Sequence, residues 1–405
     1  PERIFVPPTS SPMTRGAATA RATIAARMAE GDKPYRLYRG GRRKGKVPLG
    51  SQARPSTQPS RTPAAPRRRR RWGLWIGLTL LGSVVLLAAW GALGYRSFSG
   101  GVDKANKRLP RAATAHLAKR EGSSLSKPTT ILVIGTDGGR AAGRGDANRS
   151  DSLLLLRTDP GKHRISYLSI PRDLRVEIPG YGTSKINAAN QIGGPALTIE
   201  TVRALTGLSI DHVVVVDFDG FRELIDSLGG IDVKVPKPIL SNQFDCPFKP
   251  EKCREWQGWR FKKGVQHMDG RRALVYSRIR TNQLDPSDTD ISRGTRQQAV
   301  ADAVGGKIAS MGTFLRLPFI GDSLAAPVAT DLSASELARL GWVRFRADSK
   351  RSLRCRLGGE SATIGGESMI LGSEDNVAVI SMFLGRSAPL APPKGTLYGA
   401  GCTRR

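Results

Sequence analysis

The feature that most constrains this chain is a run of 24 residues, 72–95, without a charged side chain: WGLWIGLTLLGSVVLLAAWGALGY. As an α-helix it extends about 36 Å, enough to cross a hydrocarbon core of about 30 Å with some tilt. Trp72, Trp75, Trp90 and Tyr95 stand near its ends, where amphipathic rings favour the headgroup layer. Five arginines, 67–71, come immediately before it. Basic flanks stay on the cytoplasmic side, so the pattern predicts a single-pass anchor in the cell membrane, with a cytoplasmic N-terminus and an extracytoplasmic remainder. A buried core helix is the plainer alternative, but the unbroken length and basic flank argue against it. A cleaved signal peptide fits less well still, because 71 residues precede the run and its apolar stretch is too long.

Charge is spread unevenly. Residues 1–71 hold 18 Lys and Arg against three acids, half of the chain's net charge of +30. They are rich in Pro, Ser and Gly and lack a sustained apolar period, which reads as a disordered basic tail suited to anionic lipid. A short helix over 17–29 would have little to pack against. A DNA-binding regulator rests only on charge and has no recognisable reading helix, so no nucleic-acid partner is expected. Residues 96–128 are polar and basic, with Pro110 interrupting any helix, and read as an extracytoplasmic stalk. All four cysteines lie beyond the anchor, an even number suited to an oxidising compartment. The expected disulfides are Cys246 with Cys253, closing a Pro-containing loop, and Cys355 with Cys402, tying down the C-terminal segment. Zinc is the rival use, but no C-x-x-C or Cys/His spacing supports it.

The patterned domain is expected over 129–405. Short apolar runs at 131–134, 153–156, 165–168 and 213–216 read as buried strands. Helical segments fall at 195–205, 218–228, 270–279 and 291–311, and a capping box at Ser333 and Glu336 opens another through residue 340. This alternation predicts an α/β fold, a central mixed β-sheet flanked by helices, preceded by one transmembrane helix and the disordered tail.

Chemistry-bearing residues gather at the predicted strand ends. Asp137 follows the first strand in GTDGGR, Arg149 and Asp151 precede the second in NRSD, and Arg172 and Asp173 follow the third in SIPRD. Lys185 and Asn187 come soon after. Farther on, Arg278 and Arg280 end ALVYSRIR; two residues apart, they reach one ligand only if the helix stops near Arg278. Arg293 and Gln297, four apart, share a helix face. Taken singly, each is more often a solvated charge or structural ion pair. Together they give several arginines and two acids with no His or Cys nucleophile nearby. Arginine's planar fork pairs with phosphate oxygens and keeps its charge. Carboxylates at the same edge repel such a ligand unless a divalent cation lies between them, so the pattern points to phosphoryl transfer from a diphosphate with Mg²⁺ or Mn²⁺.

In order, the motifs GTD, RSDS, SIPRD, KINAA with Gly193-Gly194, Asp226-x-Leu228-Gly229-Gly230, DGRRALVYSRIR and SRGTRQQ resemble the LytR-CpsA-Psr family over about 129–310. The resemblance implies an α/β domain with an apolar cavity for a lipid chain. It also implies an envelope ligase that moves a glycopolymer phosphate from a polyprenyl diphosphate carrier to a peptidoglycan hydroxyl, using Mg²⁺. The polymer is a teichoic acid, a capsule or an arabinogalactan. Carried onto this sequence, the metal-linked acids are Asp137 and Asp151. The diphosphate-binding residues are Arg149, Arg172, Arg278, Arg280 and Arg293, with Gln297 as a polar contact and Lys185 where loop length varies. Either Asp137 or Asp151 takes the acceptor's proton. Arg140, behind Gly138-Gly139, departs from the family's usual spacing, and Ser292 stands where glycine is common. The competing readings are a polyprenyl diphosphate hydrolase and a non-catalytic, membrane-tethered binder of anionic wall polymer.

Overall fold

The computed structural model describes residues 72–405 apart from 119–121, 139–149, 287, 289, 394, 395, 397 and 405. The expected tail, 1–71, and the site candidate Arg149 lie outside the described residues. The chain opens with α1 (Trp72–Arg108) and α2 (Arg111–Ala115), then β1 (Thr129–Thr136), β2 (Ser150–Asp159), β3 (Arg164–Ile170), β4 (Leu174–Ile178) and β5 (Gly182–Lys185). Next come α3 (Ala188–Thr206), β6 (His212–Asp217), α4 (Phe218–Ser227), β7 (Ile231–Val235), β8 (Ile239–Leu240), α5 (Pro250–Cys253), β9 (Arg260–Phe261) and β10 (Gly264–Met268). Helices α6 (Gly270–Arg278), α7 (Asp290–Ile308) and α8 (Met311–Ala325) follow, then β11 (Ala329–Thr330) and α9 (Ala334–Arg346). The last elements are β12 (Leu353–Arg356), β13 (Gly359–Ile364), β14 (Glu367–Gly372), α10 (Asp375–Leu384) and β15 (Gly401–Arg404).

Seven strands form the main sheet, in the order β11-β6-β1-β2-β3-β12-β15. It is mixed: β1 pairs in parallel with β6 and β3 with β12, while β1–β2 and β2–β3 are antiparallel. A four-stranded sheet, β13-β14-β4-β5, and two small pairs complete the strands. The apolar runs at 131–134 and 153–156 are buried on both faces because the sheet is covered on both sides. Side chains alternate as the pleat requires. Leu132, Ile134, Leu153, Leu155, Leu168 and Ile170 join one core cluster. Leu154, Ile165 and Tyr167 join another, against Ala301 of α7 and Val133 and Leu156.

Helix boundaries follow local chemistry. Within α3 the backbone breaks at Gly193 and Gly194, the latter at φ 62°, so the regular helix restarts at Pro195 as the sequence indicates. The expected helix over 291–311 ends at Ile308; Ser310 then accepts a hydrogen bond from the Thr313 N–H and caps α8, a separate helix. The Ser333–Glu336 capping box is present, and α9 runs on to Arg346.

In the region expected as a stalk over 96–128, the described residues up to 118 are largely helical and packed on the domain. Helix α1 continues unbroken to Arg108, and its last turns lie along α8. Val102 and Ala105 are buried there, and Lys104 pairs with Asp322 at 2.7 Å. Beyond the helix, Leu109 and Ala113 enter the main core. The physical reason is a face of small residues: Gly94 meets Leu317, and a side chain at Gly101 would lie 2.4 Å from the Asp322 carbonyl oxygen. By contrast, the apolar window of α1 has mean hydropathy 2.1 and is wholly unburied, as expected of a helix that crosses a membrane. Both disulfides, Cys246–Cys253 and Cys355–Cys402, are formed.

This packing makes a test. Gly101→Ala should force α1 from α8 and destabilise the detergent-solubilised chain by about 1–3 kcal/mol in thermal unfolding, the usual effect of overpacking. Gly91→Ala, where nothing lies within 4 Å, should leave the melting temperature unchanged or slightly raised.

Candidate active site

Topology brings the candidate residues to one edge of the main sheet. Parallel pairing of β1 and β6 places Thr136 opposite Asp217, so Asp137 leaves β1 beside the start of α4. Asp217 itself is occupied as a helix cap, accepting from the Gly220 N–H at 2.7 Å. On the other side, Gly135 faces Ser152 and Thr136 faces Ser150. Asp151 is therefore the extra residue of a β-bulge, an irregularity that re-aims side chains. Asp151 and Ser152, neighbours that a regular strand would send to opposite faces, line the same cavity.

Arg172 arrives from the end of β3. Its Nη1 donates to Asp151 Oδ1 at 2.5 Å and its Nε to Asp173 Oδ2 at 3.3 Å. Asp151 Oδ2 has no hydrogen-bond partner among the described residues. Helix α7 supplies the facing wall with Arg293 and Gln297. Ser152 Oγ donates to Gln297 Oε1 at 3.0 Å, and Gln297 Nε2 donates to the Ser277 carbonyl at 3.4 Å, which joins α7, β2 and α6. Next along α7, Gln298 donates to Ser169 Oγ and to the Cys355 carbonyl, each at 2.8 Å, and so sets the helix against β3 and β12. The cavity between these groups has about 50 Å³, room for a few waters.

The candidates thus divide. Asp151, Arg172, Arg293 and Gln297 line one cavity. Asp137 stands at the same sheet edge, one residue beyond the Thr136–Ser150 pair. Arg278 closes α6, and Ile279 turns out of the helix at ψ 127°, the stop needed for Arg278 and Arg280 to share a ligand. In this structure Arg278 is engaged by Asp245 and lies over the rings of Phe218 and Phe244, at 4.5 and 5.6 Å. Arg280 is exposed just beyond. Lys185 belongs to the smaller sheet, where it pairs with Glu367 at 2.9 Å. Among the described residues, the apolar layer that would take a lipid chain is packed beside the cavity. Between α4, α6, α7 and β7, side chains such as Ile225, Leu228, Val275 and Val300 pack against one another.

Sequence reading missed Ser152, Asp245 and Arg356. Arg356, on β12, lines the cavity and donates from Nε to the Gly399 carbonyl at 2.7 Å. Burial pulls its guanidinium below the usual arginine value. Nothing in LRCRLG sets it apart from a solvated strand arginine. Among the described residues no cluster of three or more metal-binding side chains occurs. The donor set still suits Mg²⁺, which takes one or two carboxylates and completes its shell with phosphate and water; the unpartnered Asp151 Oδ2 is such a donor.

The LytR_cpsA_psr family model matches residues 95–383, most of the chain, from the later turns of α1 to the last turn of α10. The chain belongs to the LytR-CpsA-Psr family. The match begins within α1, in keeping with a first helix that is part of the domain. Among relatives, the polyisoprenyl-teichoic acid–peptidoglycan teichoic acid transferase TagV of Bacillus subtilis is 33% identical over 264 residues, 64% of this chain and 64% of TagV's length. The protein of the same kind named TagU from Oceanobacillus iheyensis is 31% identical over 68% of this chain and 81% of its own. The crystal structure of B. subtilis TagV superposes with a TM-score of 0.53 at 29% identity, covering 65% of this chain and 99% of that one.

The Arg172–Asp151 contact is testable without substrate. The pair is mostly shielded from solvent, with side-chain exposures of 17% and 24%. A double-mutant cycle with Arg172→Gln and Asp151→Asn should give a coupling free energy of about 1 kcal/mol in denaturant unfolding. Additive effects would mean that the two groups do not sense each other.

Proposed function

We propose that this protein is a membrane-anchored phosphotransferase that moves a glycopolymer phosphate from a polyprenyl diphosphate carrier to a hydroxyl of peptidoglycan. The observation that carries the reading is the convergence of Asp151 and Arg172, from the β2–β3 hairpin, with Arg293 and Gln297, from α7 far along the chain, on one cavity at the sheet edge where Asp137 also stands. The printed names of the TagV and TagU relatives support it. The apolar helix α1, the basic run before it and the two disulfides support a domain exported beyond a single-pass anchor.

The reaction follows from these groups. The acceptor hydroxyl oxygen attacks the phosphorus next to the glycopolymer, the bond from that phosphorus to the bridging oxygen breaks, and polyprenyl monophosphate leaves. Arg172 and Arg293 hold the phosphate oxygens and favour the charge that gathers on the leaving group. Gln297, fixed by Ser152 and the Ser277 carbonyl, donates beside them. Arg278 joins when the diphosphate replaces the Asp245 carboxylate as its anionic partner, and Arg280 follows from the turn. Asp137 and Asp151 would hold Mg²⁺, which when bound supplies charge neutralisation between carboxylates and diphosphate. The hydroxyl proton passes to an aspartate at this edge. The isoprenoid chain enters by parting the apolar layer of α4, α6 and α7.

The full-length chain in nanodiscs, given polyprenyl diphosphate-linked teichoic acid, nascent peptidoglycan and Mg²⁺, should form a covalent phosphodiester to the glycan. Arg172→Gln and Asp137→Asn should each lower kcat/KM about 10²-fold or more, and chelation of the cation should abolish turnover. Release of polyprenyl monophosphate without glycan attachment would indicate the hydrolase instead. Binding of polymer with no turnover at all would reject both enzymatic readings.

A further inference from the structure

A second and larger space, about 880 Å³, lies along α7 and is walled by β7 on one side and by β12 and β15 on the other. Gly294 and Arg356 line both this groove and the site cavity, so the two are continuous. Seven lysines and arginines line the groove against three aspartates. Each aspartate already has a partner: Asp288 meets Arg296 at 2.8 Å, Asp302 meets Arg344 at 2.9 Å and Arg354 at 3.6 Å, and Asp232 meets His267 at 2.9 Å. Lys237 is engaged by Asp285 at 2.6 Å. Lys234, Lys350, Arg356 and Arg404 remain, with no ion-pair partner among the described residues.

We propose that this groove binds the phosphodiester backbone of the glycopolymer as it runs away from the diphosphate, an assignment that rests on the transferase reading above. A polymer with one negative charge per repeat needs spaced cations without counter-ions, and three exposed ones, Lys234, Lys350 and Arg404, stand on separate walls. Arg356 stands at the junction. It is a half-buried guanidinium with no acid beside it, a state that is costly unless an anion arrives. An isoprenoid chain would gain nothing from such charged walls. Part of the groove is formed by β15, residues Gly401–Arg404, beyond the end of the family match at 383. The disulfide between Cys355 and Cys402 joins directly facing residues of β12 and β15 and holds that wall in place.

The test uses the full-length chain in nanodiscs and a fluorescent poly(glycerol phosphate) oligomer as probe. The K234Q/K350Q/R404Q triple variant, altered only at exposed positions, should bind the oligomer about tenfold more weakly. Its binding should also show a shallower dependence on salt. K234R/K350R/R404K, which keeps the charges, should bind as the wild type does. With donors, the ratio of kcat/KM for a long phosphodiester polymer to that for a carrier bearing a single disaccharide should fall about tenfold in the triple variant. Oligomer binding lost in the triple variant, in a chain that shows no transfer, would uphold the groove and reject the transferase reading. Normal transfer with an unchanged ratio and unchanged oligomer binding would overturn the groove and leave that reading standing. Displacement of a labelled muropeptide, and not of the oligomer, by the same substitutions would assign the groove to the acceptor and overturn the proposal.

Discussion

The contact on which the site depends is the ion pair between Arg172 and Asp151, made possible by one extra residue in β2. In a regular ladder the pleat would send Asp151 to the face opposite Ser152. The bulge turns both toward α7, and Arg172 then holds one carboxylate oxygen while the other stays open. The facing wall is equally specified. Helix α7 is set by buried polar contacts rather than by apolar packing alone: Arg296 to Asp288, Gln298 to Ser169 and Cys355, and Asp302 to Tyr167 at 3.2 Å. A half-satisfied network of this kind is costly, so a slip of α7 along the sheet is strongly opposed, and Arg293 and Gln297 keep their places. Burial and the neighbouring Asp302 carboxylate push the Tyr167 hydroxyl up, and burial pushes Tyr276 up to about 12, so both phenols remain neutral supports of the wall.

Much of this architecture was legible in the residues. The strands at β1, β2, β3 and β6 show because sheets covered on both faces demand continuous apolar runs, and LLLL at 153–156 has few other uses. The stop of α6 at Arg278 was a stated condition for two arginines to share a ligand, and the backbone meets it. Other features depend on partners distant in sequence. Nothing in RSDS announces a bulge, since a bulge is a relation between two strands. Asp245 reaches Arg278 from 33 positions away through a loop held by Cys246–Cys253. The strands β5, β13 and β14 are short, largely polar or exposed and begin or end at glycine, so their alternation is weak in isolation, while β4, LRVEI, alternates cleanly but over five residues only. The segment after the apolar run looked like a stalk because its charges dominate the composition, whereas Gly94, Gly101, Val102 and Ala105 decide its packing.

The arrangement separates charges by task. At the sheet edge, acids and arginines are interleaved, which suits a centre where negative charge must be both held and redistributed. Along the adjoining groove, the acids are already neutralised and the surplus is positive. The one side chain shared by these two regions and carrying a charge is Arg356, fixed by the Gly399 carbonyl and close to the disulfide that fastens the last strand.

The unbroken course of α1 has a mechanical consequence. A flexible linker of 33 residues, the length of 96–128, would act as a leash, letting an enzyme roam over roughly 30 Å. A helix whose apolar part is unburied and whose last turns dock at once on α8 is a strut. On the proposed anchor and transfer reaction, it would fix the standoff between the site and the lipid surface, so acceptor strands would have to reach that height.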